Sequence, residues 1–216
     1  KLLPEGSVQL VCGSLGNLFD ALTCQDVVTL TGSKATGEKL KNHPKIVEHS
    51  VRFNLEADSL NCMVLGEDVT PSMPEWDIFI KEVRKEMTVK AGQKCTAVRR
   101  IFVPANKMEE VWKSLAAALD KTPVGNPLND QVRMGALAGL SQREEVRNQV
   151  QKLMQSCEVV YGSLETTEVI DADANKGAFM KPILLMNQRP FEVMEPHEVE
   201  AFGPVSTIMP YNSTDE

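Results

Sequence analysis

The 216-residue chain is 42% hydrophobic and carries 23 basic and 30 acidic side chains, a formal net charge of −7. This is the composition of a folded chain with a sizeable core, which excludes a disordered or collagen-like polymer. It also argues against nucleic acid as a partner, because phosphate binding needs clustered Lys and Arg, and the densest basic run, 94–100, is broken by Cys95 and Val98.

Residues 8–12 predict a short buried strand, and about 15–22 a helix-like segment. A second strand is predicted over 27–31, closed by Gly32, and a short helix over 34–41 that stops before Pro44. Strands follow at 51–55 and 62–65. After the Pro71 and Pro74 turn, Trp76, Phe79, Ile80, Val83 and Met87 recur at three- and four-residue spacing, one apolar face of an amphipathic helix. Residues 97–103 predict a strand ended by Pro104. Met108, Val111, Trp112, Leu115 and Leu119 form the inward stripe of a helix over about 107–120. A turn-rich piece holds Pro123, Gly125 and Pro127. Ser141 with Glu144 three residues on reads as a capping box, opening a helix that buries Val146, Val150, Leu153 and Met154. Further strands are predicted at 158–161, 178–185 and 205–209. Strands alternating with long helices imply an α/β fold with a parallel or mostly parallel sheet.

Five cysteines, Cys12, Cys24, Cys62, Cys95 and Cys157, are odd in number and contain no Cys-x-x-Cys. A disulfide framework or structural zinc site is therefore not expected, and a reducing cytoplasm is the natural setting. His43, His49 and His197 lack metal-ligand spacing, so no metal is expected. No apolar run approaches membrane-spanning length, and Pro4 and Glu5 interrupt what a secretory start would need, so neither membrane nor secretion is expected.

Four places can carry chemistry. Cys95 follows Ala91-Gly92-Gln93-Lys94, a flexible turn between the strong helix and the strand over 97–103. A thiol on such a turn can be exposed, with Lys94, Arg99 or backbone N–H groups favouring its thiolate; a buried, inert cysteine is the plain alternative. The other four cysteines lie in or against apolar runs and are read as inert. Glu56 closes a strand, where open α/β sheets place ligands, though a solvated carboxylate would look the same. Thr31-Gly32-Ser33 joins a strand to a helix, a place for N–H groups to meet phosphate, but it is not a Walker loop or a Gly-x-Gly-x-x-Gly fingerprint. Glu200-Ala201-Phe202-Gly203-Pro204 alone says only that the chain turns.

As an ordered set these four are specific. Thr31-Gly32-Ser33 with Gly37, Leu55-Glu56, Gly92-Gln93 with Cys95, and Glu200 with Phe202-Gly203-Pro204 resemble the NAD(P)-dependent aldehyde dehydrogenase superfamily. Leu3-Pro4-Glu5-Gly6 and Gly125-Asn126-Pro127 extend the likeness along the whole chain. One departure stands out. The family usually has Glu-Leu-Gly-Gly-Lys where this chain reads Glu56-Ala57-Asp58-Ser59-Leu60. Residues 52–61 are similar to the branch of the family that oxidises a CoA-linked semialdehyde in phenylacetate degradation, where a hydratase-like domain is fused behind the dehydrogenase.

The resemblance implies a three-layer αβα catalytic domain over about 54–216, preceded over 1–53 by the tail of the NAD(P)-binding domain. It implies Cys95 as the nucleophile, with its own N–H as an oxyanion donor, and Glu56 as the base for deacylation. Gly32 and Ser33 would lie near the pyrophosphate of NADP or NAD, with Gly37 allowing close helix packing. Glu200 would hold the nicotinamide ribose, and Phe202 would pack beside the nicotinamide. The asparagine that completes the oxyanion hole, part of the adenosine site and a closing C-terminal segment would lie outside these 216 residues. The expected parent is a homo-oligomeric enzyme acting on a small aldehyde. Two alternatives stay open: a CoA-acylating dehydrogenase, against which the presence of Glu56 counts, and a folded interaction module in which Cys95 is a bystander.

Overall fold

A computed structural model describes residues 2–165 and 168–216. The chain divides into two compact units, Lys1–Asp58 and Ser59–Glu216.

In the first unit, strands β1 (Val27–Gly32) and β2 (Arg52–Ala57) pair in parallel. Between them run helices α1 (Lys34–Lys41) and α2 (Pro44–Glu48). The second of these is absent from the sequence prediction, and Pro44 supports it by standing at its first position, where a missing N–H costs nothing. The strand predicted at 8–12 does not form. Those residues are exposed and irregular, with Val8 at 80% and Leu10 at 90% exposure, because no described neighbour pairs with them. The segment predicted over 15–22 is reduced to one 3-10 turn, Leu18–Ala21.

The second unit is a five-stranded sheet in the order β3-β4-β7-β6-β5. Its strands are β3 (Asn61–Val64), β4 (Val98–Pro104), β5 (Glu158–Tyr161), β6 (Ile183–Met186) and β7 (Val205–Tyr211). All neighbours are parallel except β5 and β6. Helices α3 (Pro74–Thr88), α4 (Met108–Leu119) and α5 (Leu140–Leu153) cover it, with a short α6 (Glu195–Glu198). Period-two alternation on β6 separates the two cores. Leu184 joins Val83, Met87, Val111 and Leu115 from α3 and α4, whereas Ile183 and Leu185 join Val146, Val150 and Leu153 from α5. Helices therefore lie on both faces, giving the expected three-layer α/β arrangement with a mostly parallel sheet.

Two local readings are corrected. The strand predicted over 178–185 shrinks to Ile183–Met186, because Pro182 has no N–H to give a ladder. Ser141 is not a cap: α5 starts at Leu140 behind an extended Gly139, and no side chain caps it. Among the described residues, no helix is long and apolar enough to cross a membrane.

Candidate active site

Helix α3 ends at Thr88, and the chain then takes three left-handed residues, Lys90 (φ 54°), Ala91 (φ 51°) and Gly92 (φ 70°). A side chain at position 92 would strike the carbonyl of Gly203, so close approach as well as φ requires glycine there. Cys95 sits on the turn that follows and is exposed, in line with the sequence expectation.

The main chain of that turn is anchored. Ser59 Oγ donates to the Cys95 carbonyl at 2.6 Å, and Asn61 Nδ2 donates to the same oxygen at 2.7 Å. Asn61 opens β3 at an irregularity: it pairs with Val98, while Cys62 pairs with Arg100. Arg99 is left without an opposite residue on β3, and bulges of this kind re-aim side chains. Its own is buried, 5% exposed, and its guanidinium donates to the carbonyls of Gly203 at 2.5 Å and Gly92 at 2.7 Å. It lies 5.6 Å from the centre of the Phe202 ring. Arg99 Nε is 3.8 Å from Glu200 Oε1. Burial lowers the guanidinium pKa, and the Glu200 charge opposes that shift. Glu200 also accepts the Ser59 N–H at 3.2 Å, and Gln142 Nε2 donates to the Phe202 carbonyl at 3.2 Å. The Cys95 turn and the loop bearing Glu200 and Phe202 thus belong to one polar network. Lys94, offered by the sequence as a cation for the thiolate, pairs instead with Glu86 at 2.7 Å.

An open groove of about 520 Å³ borders this turn at Gln93 and is also lined by Lys90, Arg133, Met134 and Phe179. Of the remaining cysteines, three differ from expectation and Cys157 agrees with it. Cys12, Cys24 and Cys62 are exposed; Cys62 is on edge strand β3, whose alternation turns Met63 inward and Cys62 out. Cys157 is buried, and burial pushes its thiol pKa up.

In the first unit, Gly32 ends β1 and Ser33 caps α1, its Oγ accepting the Thr36 N–H at 3.2 Å. The parallel register sets Thr31 opposite Glu56 and Gly32 opposite Ala57. Gly32, Ser33 and the exposed Glu56 therefore share the carboxyl end of the two strands, where open α/β sheets take ligands. Gly37 is buried against Leu55, whose Cδ1 would stand 2.5 Å from a Cβ at that position, so glycine lets α1 lie close on β2. A helix start can present N–H groups to a phosphate, but here Lys34 N donates to Asp58 Oδ1 (Asp58 at φ 51°) at 3.1 Å, so Asp58 and the Ser33 cap already take two of the N–H groups of this first turn.

Arg99, offered by the sequence as a cation for the thiolate, turns instead to the two glycine carbonyls and Glu200; Ser59 and Asn61 are the contributors that sequence reading does not single out. The partners of Ser59 and Asn61 are 34 to 141 positions away, beyond any local pattern. The available signal was the departure from Gly-Gly-Lys in which Ser59 stands.

Comparison with known proteins identifies the family. The chain is 43% identical over 213 residues to 3,4-dehydroadipyl-CoA semialdehyde dehydrogenase of Aromatoleum evansii, covering 99% of this chain and 41% of that protein. Betaine aldehyde dehydrogenase of Staphylococcus aureus, solved with NAD+, superposes with a TM-score of 0.75 at 20% identity, over 88% of this chain and 36% of that one. An aldehyde dehydrogenase variant from Bacillus cereus gives a TM-score of 0.71 at 26% identity, again over 88% of this chain and 36% of that one. The sequence profile of the aldehyde dehydrogenase family matches residues 2–216. The chain, although it spans only 41% of the length of its curated relative, belongs to the aldehyde dehydrogenase family.

Proposed function

We propose that the protein oxidises an aldehyde to the acid with NADP or NAD, and that its substrate is a CoA-linked semialdehyde of phenylacetate catabolism. The first unit serves as the tail of the cofactor-binding domain and the second as most of the catalytic domain. The observation that carries this reading is an exposed thiol, Cys95, on a turn whose backbone shares a polar network with Glu200. The relative of similar sequence named for a CoA-linked semialdehyde supports the substrate class. The parent enzyme acts as a homo-oligomer in the cytoplasm.

An aldehyde cannot release hydride until a nucleophile makes its carbon tetrahedral. The Cys95 thiolate attacks that carbon, forming a C–S bond and an oxyanion that the Cys95 N–H helps to hold. A bound NADP or NAD would supply the hydride acceptor. Gly32 and Ser33 would hold its pyrophosphate, Glu200 the nicotinamide ribose, and Phe202 the side of the ring. The Cys95 adduct, having lost hydride, is a thioester. Glu56 takes a proton from water, hydroxide adds to the thioester carbonyl, and the C–S bond breaks to return the thiolate and release the acid. Presence of Glu56 favours this hydrolysis over transfer to CoA. In the full-length protein, Cys95→Ala should abolish reduction of the nicotinamide while cofactor binding persists. Substantial aldehyde oxidation by that variant would overturn the reading.

A further inference from the structure

We propose that Ser59 and Asn61 are positioning residues for Cys95, a role that rests on the reading of Cys95 as the nucleophile. Their side chains converge on one atom, the Cys95 carbonyl oxygen, at 2.6 and 2.7 Å. Two donors match the two lone pairs of a carbonyl, so the peptide that follows Cys95 is fixed in orientation. That plane sets the direction in which the Cys95 side chain leaves the turn. Without the clamp, an exposed turn would satisfy this oxygen with water, which orients nothing.

The clamp is itself supported from behind. Arg100 Nε and Nη2 donate to the Leu60 carbonyl at 2.9 and 2.5 Å, holding the residue between Ser59 and Asn61 against β4. Asn61 also reaches the Ala97 carbonyl at 3.3 Å, so it grips the turn and the entry to β4 together. At the far end of the turn, Arg99 holds the Gly92 carbonyl at 2.7 Å. The turn is thus pinned at both ends. Ser59 has one hydroxyl proton, and the 2.6 Å contact to Cys95 takes it in preference to the Glu200 oxygen at 3.4 Å.

The test uses the full-length protein, NADP or NAD, and whichever aldehyde it oxidises fastest from a set of aliphatic, aromatic and CoA-linked aldehydes. Misplacing a reacting atom by about 1 Å costs on the order of a hundredfold in rate. Ser59→Ala with Asn61→Ala should therefore lower kcat about ten- to a hundredfold, with a much smaller change in cofactor KM and an unchanged far-ultraviolet circular dichroism spectrum. Asn61→Asp keeps the shape but has no proton to donate, and should fall in the same way. Ser59→Thr keeps the hydroxyl and should stay close to the parent rate. If the double variant does not fold, Asn61→Asp alone decides. Wild-type kcat in the variants that lose a donor overturns the proposal, as does equal damage by Ser59→Thr. An inactive Cys95→Ala beside fully active clamp variants would remove the clamp alone; an active Cys95→Ala would remove the nucleophile itself.

Discussion

Arg99 and Glu200 face each other across 3.8 Å with side chains only 4% and 11% exposed. A cation so buried needs a partner, and the Glu200 carboxylate offsets the burial that pulls the guanidinium pKa down. The same guanidinium spans the carbonyls of Gly92 and Gly203, so the pair fixes two loops at once. Removing one member of a buried pair costs more than the pair contributes net, because the other charge is stranded.

Glu200→Gln should therefore destabilise the protein by about 3 kcal/mol, the lower end for breaking a buried pair. Urea unfolding followed by circular dichroism would show a lower midpoint at an unchanged slope. Arg99→Lys should lose stability too, since an ammonium cannot hold two carbonyls in a planar fork. An unchanged midpoint in Glu200→Gln would mean that the guanidinium is stabilised by the carbonyls alone.

The two tyrosines give a pH test. Burial pushes the Tyr161 phenol up, and its hydrogen bond to Asp120 at 2.9 Å adds to the shift. Burial also raises Tyr211, helped by the charges of Glu67 and Asp68, and its hydroxyl donates to the Leu65 carbonyl at 2.5 Å. Both folded values lie above the unfolded value of about 10, so their stabilisation is complete below that pH and is lost as pH climbs from there through the folded values. Phenolate absorbance should rise at higher pH in the folded protein than in the urea-unfolded chain, where both phenols should step near pH 10 (about the ordinary phenol value). A normal step for either one in the folded protein contradicts its upward shift.

What could be read from sequence was what depends on periodicity. The stripe Trp76, Phe79, Val83 and Met87 is the buried face of α3, since a helix repeats every few residues and the pattern is local. Residues 8–12 failed for the opposite reason: an apolar run says that burial is wanted, but a strand also needs a partner. The exposed turn around Cys95 was legible because Gly92 and the following polar residues end a helix. Its anchors were not, because Ser59 and Asn61 meet Cys95 only through the parallel pairing of β3 with β4.

Glu56 should matter for the second half of the reaction and not the first. It stands at the carboxyl end of β2, exposed, opposite Thr31 in the register. Formation of the Cys95 thioester needs a thiolate and loss of hydride, neither of which calls for a carboxylate once the thiol is ionised. Hydrolysis needs a proton taken from water, and a positioned general base contributes roughly 10²–10⁴-fold. In the full-length protein, Glu56→Gln should therefore give a burst of reduced cofactor of about one equivalent per active site, followed by a slow steady state. The acyl-enzyme should be trappable, with its added mass on the peptide that contains Cys95. A solvated bystander carboxylate predicts normal turnover and no burst. Loss of the burst along with turnover would assign Glu56 to activating the thiol, ahead of hydride loss. Rapid-quench measurement of cofactor reduction separates the three, and only the burst with a slow second phase fits a base for deacylation.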